Sequence, residues 1–230
     1  MLELNGVHAH YGKVHVLQGT SLEVHNGEAV GLLGRNGVGK TTTLKTIMGL
    51  VPATGGEIVF DGRGLTDLAP HRIPDTGIGY VPQGRGIFPT LSVKENLEIA
   101  LTKAPPSQVT DYVFDRFPRL KERLSQPGGT LSGGEQQMLA MARVLRTGAR
   151  LLLLDEITEG LAPVIVQALG DTIRQMKERG LTIVLVEQNF HFAAPLADRH
   201  YIIEHGEVAE VIEAHEAEAK KERINQFLSV

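Results

Sequence analysis

Ala29-Val30-Gly31-Leu32-Leu33-Gly34-Arg35-Asn36-Gly37-Val38-Gly39-Lys40-Thr41 decides the fold. Its apolar start, with no alternation, reads as a strand covered on both faces. A glycine-rich loop follows, and Thr41 to Gly49 reads as a helix ended by glycine. Strand, loop and helix in this order match the phosphate-binding loop pattern. Glycine N–H groups form a concave nest for an anion. Lys40 would place positive charge on the β- and γ-phosphates, and Thr41 would offer its hydroxyl to Mg²⁺. A glycine-rich βα turn without a ligand explains the stretch less well.

Working outward, Leu151 to Leu154 and Thr182 to Val186 are continuous apolar runs that read as further buried strands of a parallel sheet. About Pro163 to Arg179 is the crossover helix between them. Asp155 and Glu156 end the first of these strands, where α/β sheets bind ligands. Asp155 would hold Mg²⁺, directly or through water, and Glu156 would polarise the attacking water as general base. Gln83 follows the short strand Gly77 to Val81, and its amide can reach Mg²⁺ or the attacking water. Residues 2–8, 14–24 and 57–61 alternate in polarity and read as a partly exposed antiparallel sheet. Tyr11, at the end of that region, could stack on adenine or be a plain exposed strand residue. His8 and His10 read as surface residues, because two histidines lack a third metal ligand. From about Ser92 to Arg146 the pattern is mainly helical, broken at Pro105-Pro106 and Gln126 to Gly129. Tyr201 to Val211 reads as a hairpin, and Ala214 to Leu228 as an amphipathic helix carrying Ile224, Phe227 and Leu228.

Leu131-Ser132-Gly133-Gly134-Glu135 opens the helix Gln136 to Arg146. Ser132 and Glu135 form a capping-box pattern. The box does not need Gly133 and Gly134, which cost stability at a helix start. Bare glycines at a helix N-terminus suit a phosphate, and this phosphate need not belong to the chain's own nucleotide.

The bulk properties narrow the class. The net charge of −4 argues against a nucleic-acid binder working by bulk electrostatics. The absence of cysteine excludes disulfides and thiolate metal sites. No apolar run approaches the roughly 18 residues of a membrane span, and no signal peptide is visible. A soluble cytoplasmic protein is the simplest expectation.

The glycine loop, Gln83, Leu131 to Glu135, Asp155-Glu156 and a later switch position, Gln188, occur in one order and at familiar spacings. The chain resembles the ATP-binding subunit of an ABC transporter over all 230 residues. The resemblance implies an α/β fold: a P-loop NTPase core with a mostly parallel sheet, an N-terminal antiparallel β subdomain and an inserted α-helical subdomain. It implies one nucleotide-binding domain over 1–230, the helical subdomain at about 89–146 and a C-terminal helix at about 214–229. ATP and Mg²⁺ are the implied cofactors. Nucleotide binding falls to Tyr11, Val16, Gly34, Asn36, Gly37, Gly39, Lys40, Thr41 and Thr42. Metal binding falls to Thr41, Gln83 and Asp155, and catalysis to Glu156, Gln83 and Gln188. In that family cassettes pair head to tail, so Ser132, Gly133 and Gly134 would contact the partner's γ-phosphate.

Gln83 to Pro89, Gly160 to Pro163 and Val186 to Asn189 resemble the branched-chain amino-acid uptake cassettes and their urea and amide relatives. The implied partners are a second cassette, identical or sister, the membrane permease subunits and, indirectly, an extracytoplasmic solute-binding protein. No nucleic acid is implied. The implied place is cytoplasmic, peripheral on the inner face of the cell membrane. The chain departs from the family pattern with Gln188 for histidine, Ile157 for proline and Ala162 for aspartate. The alternative is a non-transport ABC ATPase of the DNA-repair or translation type. Those usually carry a long coiled-coil insertion, tandem cassettes or zinc cysteines, none of which this sequence has.

Overall fold

The computed structural model describes residues 1–100 and 113–228. Pro105-Pro106 and part of the helical insertion lie outside them.

Two sheets carry the chain. The first is antiparallel, in the order β2 (Val14–Val24), β1 (Leu2–Tyr11), β4 (Ala53–Phe60), β5 (Arg63–Gly64). In β1 the buried residues are Leu2 and Leu4, then Val7 and Ala9, so the alternation changes phase. A register shift between Leu4 and Val7, with Gly6 at φ 57°, makes that change: a bulge inserts one residue and keeps the apolar side facing in.

The second sheet runs β10 (Glu207–Glu213), β9 (Arg199–Glu204), β3 (Ala29–Leu33), β8 (Thr182–Glu187), β7 (Leu151–Asp155), β6 (Ile78–Val81). All its pairings are parallel except β9 with β10. Every residue of β3, β7 and β8 is buried, because both faces are covered. On one face Leu152, Leu154, Ile183 and Leu185 meet α4 (Gly133–Leu145) and α5 (Pro163–Glu178). On the other, Val30, Leu32, Leu151, Leu153 and Val184 meet α1 (Lys40–Ile47) and the antiparallel sheet. Parallel pairing sets the carboxyl ends of the strands at one edge: Leu33 lies beside Glu187, Asp155 beside Val186 and Val81 beside Leu154. Short helices α2 (Val93–Glu98), α3 (Pro118–Lys121) and α6 (Phe190–Ala193) complete the described core.

The C-terminal segment departs from the single helix expected over 214–229. It forms a 3₁₀ turn at Ala214–Glu216 and then α7, Lys221–Leu228. Two anchors, Ala217 and Ile224, are buried in the core beside Ile212, and residues 217–220 form turns before the helix begins at Lys221.

His200 on β9 is fully buried, and neither ring nitrogen has a hydrogen-bond partner among the described residues. Gly31 makes room for it: a Cβ there would lie 2.6 Å from Nδ1. Burial lowers its pKa to about 4 against the opposing pull of Asp198. The folded state therefore holds the ring neutral, and the unfolded chain takes up its proton first as pH falls. The stability from this group is complete above about 6.5 and declines toward 4. Wild-type protein should lose on the order of 3 kcal/mol relative to His200→Leu between pH 7 and pH 4, read by urea unfolding. A constant gap between the two proteins across that range would contradict a buried neutral ring.

Candidate nucleotide-binding and hydrolytic site

The loop after β3 passes straight into α1, and two glycines give it its shape. Gly37 and Gly39 have φ of 81° and 114°, left-handed conformations that side chains disfavour. Gly39 is also the residue before α1, and a Cβ on it would lie 3.0 Å from Leu17 Cδ2. A cleft of about 280 Å³ opens above the loop, lined by Asn36, Gly37, Gly39, Lys40, Thr41, Thr42, Gln83 and Glu156. Lys40 is 4% exposed, and its ammonium donates to the carbonyls of Gly34 (2.8 Å) and Arg35 (2.9 Å). It also lies 3.4 Å from Glu156 Oε1. Burial lowers its pKa, with Glu156 the largest opposing influence.

Glu156 is where the strand ends converge. It accepts from Gln83 Nε2 at 3.0 Å and from Gln188 Nε2 at 3.1 Å. Its own φ is 45°, a strained conformation for a residue with a side chain. The next residue explains how this is held: Ile157 is 2% exposed and sits in the core, so an apolar anchor stands where proline is usual. Gln83 also donates to Glu159 at 2.7 Å. A carboxylate only accepts, so the Gln83 nitrogen faces both acids and its oxygen is the free end.

Asp155 is fully buried, accepting from Thr41 Oγ1 and from the Tyr80 hydroxyl, each at 2.9 Å. Burial raises its pKa, and the two donors work against that rise. Among the described residues no group of three His, Cys, Asp or Glu side chains could hold a metal unaided. Thr41, Asp155 and Gln83 instead offer hard oxygen donors beside a phosphate loop. That set fits Mg²⁺, which typically binds through one or two carboxylates plus substrate phosphates.

The start of α4 carries the capping box expected of it. Ser132 Oγ accepts from the Glu135 amide at 3.4 Å, and Glu135 Oε2 accepts from the Ser132 amide at 2.9 Å. The Ser132 hydroxyl also donates to Glu135 at 2.8 Å, and Arg123 pairs with Glu135 at 2.8 Å. The glycines have steric reasons inside the chain as well. A Cβ on Gly134 would collide with Ile165 of α5, and one on Gly133 would lie 3.1 Å from both Arg85 Nη2 and Leu161 Cδ2. Arg85 donates to Gln136 at 2.6 Å, so the loop after Gln83 is tied to α4.

The cleft therefore gathers the loop, Gln83 and Glu156, with Asp155 and Gln188 joined to them by hydrogen bonds. Ser132, Gly133 and Gly134 do not line it. Val16 borders the loop, its carbonyl 3.5 Å from where a Gly39 Cβ would be. Tyr11 is 48% exposed at the end of β1 and does not line the cleft either. His8 and His10 do find a third histidine, His15, which is 3.0 Å from His8 Nδ1. The His10 and His15 rings stack at 4.1 Å with an interplanar angle of 4°. The His8 and His15 rings meet at 29°, so the three rings do not share one plane.

Residues 17–159 match the ABC transporter family. The chain belongs to this family, as an ATP-binding subunit. It is 46% identical over 211 residues to the high-affinity branched-chain amino acid transport ATP-binding protein BraG of Pseudomonas aeruginosa, covering 90% of this chain and 91% of that one. It is 38% identical over 213 residues to the probable branched-chain amino acid transport ATP-binding protein LivF of Archaeoglobus fulgidus, covering 91% and 90%. Its fold superposes with TM-score 0.82 on the dimeric post-hydrolysis state of the ATP-binding cassette MJ0796 bound to ADP and Pi. That match is at 25% identity and covers 93% of this chain and 99% of that one. No helix among the described residues of this ABC subunit is long and apolar enough to cross a membrane.

Sequence reasoning missed four residues of this network: Tyr80, Thr158, Glu159 and Glu187. Position relative to known elements is the signal that could have found them, since each lies within three residues of Gln83, Asp155, Glu156 or Gln188. Glu187, 3% exposed, accepts from the Thr158 hydroxyl at 2.9 and 3.1 Å and from the Thr158 amide at 3.3 Å. Burial pushes its carboxyl up to about 7 against the Thr158 contacts, and Glu156 adds to the rise. The folded state thus holds this proton more tightly than the unfolded chain, whose value is near 4.5. Its contribution to stability is present below 4.5 and is lost as pH rises through 7. Glu187→Gln does not titrate and should gain on wild type by on the order of 3 kcal/mol between pH 4.5 and pH 8 in urea unfolding. If the two proteins keep a fixed difference over that interval, the carboxyl is not buried as described.

Proposed function

We propose that this ABC subunit hydrolyses ATP with Mg²⁺ and drives import through a membrane permease. The observation that carries the reading is the convergence of Lys40, Gln83 and Gln188 on Glu156 at the cleft above the phosphate-binding loop. The loop amides and Lys40 receive the phosphate chain, with the Lys40 ammonium exchanging loop carbonyls for phosphate oxygens. Thr42 and Asn36 line its path, and the base lies outside against Tyr11 and Val16. Thr41, Asp155 and the Gln83 oxygen would hold the metal, which would supply positive charge to offset that of the phosphates. Glu156 takes the proton of the attacking water, and Gln188 hydrogen-bonds the γ-phosphate without carrying charge.

Ser132, Gly133 and Gly134 serve the nucleotide of a second cassette, identical or sister, across a head-to-tail dimer. To donate to a phosphate, the Ser132 hydroxyl must leave Glu135, which Arg123 then keeps paired. Ala162 is exposed and offers no side chain for this contact, so the backbone carries it. The permease docks beside Gln83, where Phe88 is 45% exposed under the Arg143 guanidinium. Relatedness to branched-chain amino acid transport proteins supports a solute of that type, delivered to the permease by an extracytoplasmic binding protein. The subunit then works peripherally on the cytoplasmic face of the membrane, as one nucleotide-binding domain with a helical subdomain.

Glu156→Gln should bind ATP normally while phosphate release falls roughly 10²- to 10⁴-fold. The same variant should accumulate an ATP-bound dimer by size-exclusion chromatography. Undiminished turnover in Glu156→Gln would remove Glu156 from the role of base.

A further inference from the structure

We propose that the Tyr80 hydroxyl is a positioning group for the divalent cation, acting through Asp155; this rests on the nucleotide–metal reading of the cleft. The geometry begins with the sheet. Tyr80 pairs with Leu153 in the parallel ladder of β6 and β7, so Tyr80, Leu153 and Asp155 share one face. That face is covered by α1, which brings Thr41 to the same carboxylate. Asp155 is fully buried, so its oxygens cannot rely on solvent.

Each oxygen of Asp155 has its own donor: Thr41 on Oδ1 and Tyr80 on Oδ2, both at 2.9 Å. Two donors on opposite oxygens fix the carboxylate plane, which a single donor would leave free to rotate. The Thr41 hydroxyl gives its proton to Oδ1, so its lone pairs remain for a cation. Tyr80 has one proton and spends it on Asp155, and burial with that neighbour pushes its pKa up, so it holds position rather than exchanging protons. Without the phenol, Oδ2 loses its partner and the Asp155 carboxylate is free to turn about its remaining contact to Thr41. Groups that orient a metal-binding carboxylate typically contribute 10- to 100-fold in metal affinity.

Tyr80→Phe removes one oxygen and keeps the ring that packs against the core. The probe is Mn²⁺ bound to the ADP-loaded protein, followed by electron paramagnetic resonance, with ADP affinity in EDTA measured alongside. Tyr80→Phe should weaken Mn²⁺ binding roughly 10- to 100-fold and leave metal-free ADP affinity at the wild-type value, which also reports an intact loop. In an Asp155→Asn background the same change should have no further effect. Wild-type Mn²⁺ affinity in Tyr80→Phe, or an equal loss in both backgrounds, would overturn the role of Tyr80 alone. A wild-type protein that takes ADP but no Mn²⁺ would overturn the reading of the cleft and this inference together.

Discussion

The parallel pairing of β6, β7, β8 and β3 is the constraint on which the site depends. Leu33, Val81, Asp155 and Glu187 end their strands at one edge of the sheet, although the sequence separates them widely. Four parts of the site then lie on, or within two residues of, a paired strand end: Gly34 after β3, Gln83 after β6, Asp155-Glu156 at β7 and Gln188 after β8. A slip of one residue in any of these pairings would turn that strand's side chains to the other face. Continuous apolar runs make such a slip costly, because both faces of β3, β7 and β8 are packed.

That edge concentrates acid in a buried place. Asp155, Glu156 and Glu187 are all under 10% exposed, and the buried cation among them is Lys40. Burial alone would drive Asp155 and Glu187 toward their neutral forms. Hydroxyl donors oppose this: Thr41 and Tyr80 at Asp155, Thr158 at Glu187. Glu156 instead takes two amides and the ammonium, which leaves it the carboxylate most dependent on groups that line or border the cleft. Its left-handed backbone is the local strain that aims it there, held by the buried Ile157 on the next residue. Strain of this kind costs about 1–3 kcal/mol and persists where surrounding packing over-determines it.

The parts legible in the sequence are those encoded over a few neighbouring residues. The phosphate loop, the buried strands and the capping box of Ser132 and Glu135 are of this kind, and the structure carries all of them. Tyr80 lies near Gln83, but its contact was not legible, because the partner is 75 positions away and the two meet only through the β6–β7 register. Glu159 and Glu187 escaped for the same reason, since their value lies in Gln83 and Thr158 across the fold. The C-terminal segment erred in the other direction. Its amphipathic pattern is helical by period, but the structure has a 3₁₀ turn at Ala214–Glu216, then a shorter helix at Lys221–Leu228, with Ala217 buried between them.

Gly133 and Gly134 show why one residue can answer to two demands. A capping box leaves them unexplained, and an anion at the helix start is one explanation. Close packing is another: Ile165 fills the space a Gly134 side chain would need, and Leu161 with Arg85 crowds Gly133. The two are not rivals. Leu161 and Ile165 follow directly from the segment that carries Glu156 and Glu159, and Arg85 follows Gln83 in the neighbouring loop. The start of α4 is thus packed against both segments that hold Glu156. Interiors packed at crystal-like density do not let such neighbours shift independently. The glycines that bare the helix N-terminus are therefore also the residues that seat it against the Gln83 and Glu156 segments of its own chain.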